Sequence, residues 1–183
     1  ETIHSTPLLP EDIHQVLKNA VAIGRPVSVA VRNRLAANGI DSDLRDYYRL
    51  AGLTLTVTDD FSLVCNEDVY QIMLGCRESD HSAILHGTEG AKLAISWDRA
   101  ADVIPASSGK GIGIQKILAY FHLEASQALA FGDSYNDMEM LQTVGTGVAM
   151  GNAEDAVKEA ADYITDSVDD DGVVTALKHF GLI

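Results

Sequence analysis

ALAFGDSYNDM, residues 128–138, passes from four apolar side chains into a loop that carries two carboxylates four positions apart. A short apolar run bounded by turn-forming residues reads as a buried strand. Gly132 allows a sharp turn, Asp133 is the first side chain beyond the strand, and Asp137 falls near the opening of a helix predicted over Met138 to Val144. Working outward, Lys110 to His122 reads as a helix that gathers Ile112, Ile114, Ile117, Leu118 and Phe121 on one face. Gly147 to Met150 is a second strand, Ala153 to Ala161 a helix, Tyr163 to Thr165 a third strand, and Val173 to Phe180 a last helix stopped by Gly181. This alternation predicts an α/β fold with a parallel, doubly wound (Rossmann-like) sheet.

Residues 1–99 follow a different pattern. Glu11 to Ile23 begins after Pro10 and reads as a helix, and Pro26 to Arg32 alternates as a strand. Asp41 to Leu50 is helical with Asp41 or Ser42 as N-cap, and Val69 to Leu74 and Lys92 to Trp97 are further strands. The region is expected to form an α+β unit distinct from residues 100–183, with the boundary near Arg99 to Asp102.

Composition narrows the function classes. Thirteen basic against twenty-seven acidic residues give a formal charge of −14, which repels a phosphate backbone and argues against a nucleic-acid or anionic-membrane binder. A divalent cation suits such a chain better. No apolar run approaches the ~20 residues of a membrane span. The start ETIHSTPLLPEDIH lacks the basic and apolar segments of a signal peptide. Cys65 and Cys76 have no metal-like spacing and read as buried free thiols in a reducing, cytoplasmic setting.

In a doubly wound sheet the loops at the carboxyl ends of the strands form the ligand crevice, and Asp133 and Asp137 occupy such an end. Two carboxylates there can face a hard cation such as Mg²⁺, which takes a few protein oxygens and keeps several waters. The same residues also suit plain helix capping, because Ser134, Asn136 and Asp137 are good N-terminal residues. Lys110, after Ser107-Ser108-Gly109, faces the positive end of its own helix dipole; either an anion lies nearby or the side chain is solvated. Asp169-Asp170-Asp171-Gly172 fails as a calcium loop and as a strand-borne nucleophile, and is expected to be a turn and helix cap. The six histidines form no zinc-like pair, and Trp97 and Tyr70 read as packing residues.

Taken in order, Asp102-Val103-Ile104-Pro105, Gly109-Lys110-Gly111, Phe131 to Met138, Gly147 to Ala153, Ala161-Asp162-Tyr163 and Asp171-Gly172-Val173 resemble the haloacid dehalogenase superfamily of phosphohydrolases, in its Cof-type sugar-phosphatase branch. The resemblance implies a lysine at Lys110 that binds phosphate and the nucleophile, a Mg²⁺ ligand at Asp133, and an acidic partner at Asp137 that supports the metal and the catalysis. It implies a phosphate-site contact from Asn136, a small phosphorylated metabolite as substrate, and an α/β cap over residues 1–99. The family attacks phosphate with the first Asp of an apolar-strand–DxDGT segment, and no such segment is found here. The chain therefore reads as cap plus the C-terminal half of the core, probed alone as an inactive, truncated form. The bare edge of the strand ending at Phe131 would then invite self-association or a complementing N-terminal segment. A rival reading is a non-catalytic relative that binds metal, a phosphorylated ligand or a partner.

Overall fold

The computed structural model describes residues 2–183, which divide into two compact units, Thr6–Ser107 and Ser108–Ile183, the latter taking in residues 2–5. Each has its own apolar core.

In the first unit α1 (Pro10–Ala22) precedes the hairpin β1 (Val27–Val31) and β2 (Arg34–Ala37). Next come α2 (Ser42–Leu50), the one-turn α3 (Phe61–Val64), β3 (Gln71–Gly75) and the one-turn α4 (His81–Ile84). A second hairpin, β4 (Ala91–Trp97) and β5 (Ala100–Pro105), completes a five-stranded antiparallel sheet ordered β2-β1-β3-β5-β4. Strand alternation sorts the two faces. Val27, Val29, Val31, Ile72, Leu74, Ala101 and Val103 pack against Ile13, Val16 and Ala20 of α1, and each such large side chain contributes about 1.5–3 kcal/mol of burial. The opposite face presents Ala30 and Met73 to Leu44, Tyr47 and Tyr48 of α2. Asp41 caps α2 by accepting from the Leu44 amide at 2.7 Å, which settles the choice between Asp41 and Ser42.

The expected boundary at 99/100 lies eight residues before the observed division. The cause is β5, whose register with β3 (Met73 opposite Asp102) and β4 (Leu93 opposite Val103) ties residues 100–105 into the antiparallel sheet. Asp102-Val103-Ile104-Pro105 thus belongs to the first unit.

The second unit holds α5 (Lys110–Phe121), β6 (Leu129–Gly132), α6 (Met138–Thr143), β7 (Thr146–Ala149), α7 (Asp155–Glu159), β8 (Tyr163–Ile164) and α8 (Gly172–His179). Its three strands are parallel in the order β6-β7-β8, with Phe131 opposite Val148 and Val148 opposite Tyr163. Both sheets and the α/β class agree with the sequence expectation. Two details differ. Among the described residues β6 pairs only with β7, so Leu129 and Phe131 are half-buried where a fully buried strand was expected. On α5, Ile114 packs into the core but Ile117 and Phe121 are 48% and 58% exposed, so the predicted apolar stripe is only partly covered. The helix seats on α6 where Gly111 comes close: an added Cβ there would meet Glu139 Cγ and Thr143 Oγ1 at 2.8 Å.

Candidate active site

Parallel strands deliver their carboxyl ends to one edge of a sheet, and loops there are the usual place for ligand-binding groups. In the second unit β6 ends at Gly132 and leads into the loop Asp133–Asp137, which closes as a 3-10 turn over Tyr135–Asp137. Asp137 folds back beneath the strand end. Its Oδ2 accepts from the backbone amides of Asp133 (3.1 Å) and Ser134 (3.2 Å). Gly132 makes room for this, since a Cβ at that position would lie 2.5 Å from Asp137 Cβ.

The other Asp137 oxygen, Oδ1, accepts a charge-assisted hydrogen bond from the Lys110 ammonium at the start of α5. The two sequence-predicted residues, twenty-seven positions apart, are therefore in direct contact. Asp137 is 4% exposed, whereas half of the Lys110 side chain stays open to solvent. Asp137 closes a capping box with Ser134 on the 3-10 turn and makes no side-chain cap on α6 itself; its second task is holding a cation that can still reach outward. It also answers the awkward placement of Lys110 at a positive helix end, because a carboxylate stands beside it.

Asp133 differs from Asp137. Its side chain is exposed, and its bonds are long: Oδ1 accepts from Ser134 Oγ at 3.3 Å and Oδ2 from Asn152 Nδ2 at 3.5 Å. Asn136 is half-buried, and its Oδ1 is buried without a hydrogen-bond partner among the described residues. Such an orphan acceptor favours a donor or a cation at that point of the loop. Asp133, Asn136, Asp137 and Lys110 thus share one loop-and-helix corner. Among the described residues no group of three His, Cys, Asp or Glu side chains gathers as a ready-made metal cage.

Asn152 was given no role by the sequence reading, whereas Ser134, expected as a capping residue, caps the 3-10 turn in a capping box with Asp137. Asn152 follows the end of β7, accepts from the Val168 amide at 3.0 Å through Oδ1, and turns its amide toward Asp133. The Gly147–Ala153 segment signalled its presence but not its contact, which depends on two neighbouring strand ends meeting. In the acidic run Val168–Asp170 forms a 3-10 turn capped by Ser167, and Asp171 at φ 56° leads into α8; the expected turn is present, but Asp171 makes no side-chain cap on the helix. Cys65 and Cys76 are free and buried, and burial pushes both thiols up to about 11. Among the described residues no helix is long and apolar enough to cross a membrane.

A family model described as haloacid dehalogenase-like hydrolase matches residues 1–177. The chain is 31% identical over 188 residues to "Putative phosphatase YkrA" of Bacillus subtilis, covering 100% of this chain and 71% of the relative. It is 34% identical over 148 residues to the 5-amino-6-(5-phospho-D-ribitylamino)uracil phosphatase YitU of the same organism, covering 76% of this chain but only 54% of that protein. Among solved structures, a subclass IIB sugar phosphatase of the haloacid dehalogenase superfamily aligns with a TM-score of 0.90 at 27% identity, over 100% of this chain and 71% of that one.

Proposed function

The chain belongs to the haloacid dehalogenase-like hydrolase family, and from that premise we propose that its Lys110–Asp133–Asp137 corner serves a Mg²⁺-dependent phosphatase of the Cof type. The substrate is a small phosphorylated metabolite, foremost a sugar phosphate. The names of a sugar phosphatase and of a phosphorylated-uracil phosphatase among the similar proteins support the class without choosing its member.

One observation carries the reading. A single buried carboxylate, Asp137, ties together the backbone of the Asp133 loop and the Lys110 ammonium, so a cation and an exposed carboxylate are held beside each other at the end of a parallel strand. Phosphoryl transfer asks chiefly for such positioning and electrostatic stabilisation. Lys110 binds the phosphoryl oxygens, and Asp137 fixes where its ammonium stands. The donor set suits Mg²⁺, which takes one or two carboxylates and keeps most of its waters. Asp133 is the open carboxylate and the orphan Asn136 Oδ1 a neutral oxygen near it, while Asp137, with both oxygens engaged, supports from behind. When bound, the ion neutralises charge on the phosphoryl oxygens.

No DxDGT segment occurs in the 183 residues, so this reading requires an attacking carboxylate from another segment or chain. Buried free thiols at Cys65 and Cys76 support a reducing, cytoplasmic setting. The test is substitution in the complete gene product that contains these residues. Lys110→Ala and Asp133→Ala should each lower phosphatase kcat/KM by about 10²-fold or more; Asp133→Ala should leave the thermal midpoint nearly unchanged, whereas Lys110→Ala should stay folded with a lowered midpoint, because buried Asp137 loses its cation. Retained activity in either variant contradicts the assigned roles.

A further inference from the structure

Asp133 carries the open carboxylate of the corner, and a residue from a different strand end faces it. After β7 the chain passes through Gly151 to Asn152 and closes against the turn that follows β8. A Cβ on Gly151 would lie 2.6 Å from the Ser167 nitrogen and 2.9 Å from the Thr165 oxygen, so the approach needs a glycine. It lets the Gly151 amide donate to the Asp166 carbonyl at 2.9 Å and brings Asn152 to Val168. Asn152 Oδ1 accepts from the Val168 amide at 3.0 Å. A backbone N–H requires an acceptor, which fixes the side-chain amide in one orientation and leaves Nδ2 to face Asp133 Oδ2 at 3.5 Å.

The same segment holds the Asp133 loop through its backbone. The Met150 amide donates to the Gly132 carbonyl at 2.9 Å, and the Glu154 amide to the Asp133 carbonyl at 3.4 Å. The other carboxylate oxygen, Oδ1, accepts from the Ser134 hydroxyl at 3.3 Å, but Ser134 is the next residue and moves with the loop. Asn152 is anchored elsewhere, on the turn after β8. Its donor is also neutral. A neutral donor sets the direction of a carboxylate without cancelling the charge that a cation needs, whereas a Lys or Arg in that place would compete with the cation. Hydrogen bonds this long at ligand sites tighten once the ligand is in place.

We propose that Asn152 is a positioning residue for the Asp133 carboxylate, tying it to the turn after β8 so that it meets a divalent cation in one orientation. The inference rests on the Mg²⁺ reading of the corner. Its test is calorimetric titration of Mg²⁺ alone into the complete gene product, unsubstituted and as Asn152→Ala and Asn152→Ser. Asn152→Ala should weaken Mg²⁺ about tenfold. Asn152→Ser, which keeps a polar group beside the Val168 amide but is shorter, should weaken it by a similar factor. In steady state Asn152→Ala should raise the Mg²⁺ needed for half-maximal turnover by the same factor and leave the KM for a sugar phosphate, at saturating Mg²⁺, within about twofold. Unchanged Mg²⁺ affinity in a folded variant overturns the proposal. So does full affinity in Asn152→Ser, which would make the Val168 contact alone the relevant one, and so does a KM that rises as much as the Mg²⁺ requirement, which would mean a general loosening of the corner. If Asn152→Ala does not fold, Asn152→Ser decides. An unsubstituted protein that takes up no Mg²⁺ contradicts the metal reading itself, and the role of Asn152 falls with it.

Discussion

Asp133 and Asp137 look interchangeable in sequence and are physically opposite in the fold. Asp137 is buried, caps two amides and holds Lys110, whereas Asp133 is exposed and weakly bonded. Removing the first leaves two amides without their acceptor and Lys110 without its partner. Asp137→Ala should therefore cost about 2–4 kcal/mol in urea unfolding, against less than about 0.5 kcal/mol for Asp133→Ala. Equal costs would mean that Asp137 is not the residue that organises this loop. The identity of these residues was legible in the sequence because each sits at a fixed offset from a strand end or helix start. The role of Asn152 was not, since it lies in a contact with Asp133 across two neighbouring strand ends.

Among the elements, the longer helices and most strands followed from apolar periodicity, and β2 and β5 did not. Arg34-Leu35-Ala36-Ala37 has no alternation and becomes a strand because the hairpin aligns Val31 with Arg34 and Ser28 with Ala37. Ala100–Pro105 reads as the start of the parallel region until its ladders with β3 and β4 claim it. Helix ends give two quantitative tests. α5 ends with His122 in the left-handed region at φ 56°, where a Cβ is disfavoured and glycine is not. His122→Gly should stabilise the protein by about 1 kcal/mol, read as a raised urea midpoint at constant m-value; a lowered midpoint would show that the His122 side chain matters more than its backbone. Near the start of α2, buried Asp43 receives Arg77, Arg25 and Arg99, and the Arg77 hydrogen bond foremost holds its carboxyl below the usual 3.8. A depressed native pKa contributes stability that is complete above the unfolded value and lost as pH falls through the native one. Unfolding midpoints of the unsubstituted chain and Asp43→Asn should therefore differ at pH 6–7, with the gap beginning to narrow below about pH 4 and closing as pH falls through the native value. A gap that does not narrow at all between about pH 5 and pH 2 would assign the effect to packing.

For the molecule as a whole, the change of pattern near residue 100 already indicated two units. The exact division was hidden because β5 obeys its neighbours in the sheet and not its own composition. What a β-α-β pattern could not supply was which oxygens remain open at the strand ends, and that is where the functional reading rests. It is tested most directly by steady-state phosphate release from the complete gene product, measured over a panel of sugar phosphates with Mg²⁺, with excess chelator, and with Lys110→Ala. The account predicts Mg²⁺-dependent turnover of at least one sugar phosphate that chelator removes and Lys110→Ala lowers by about 10²-fold or more. Turnover that survives both the chelator and the loss of the Lys110 ammonium would contradict it.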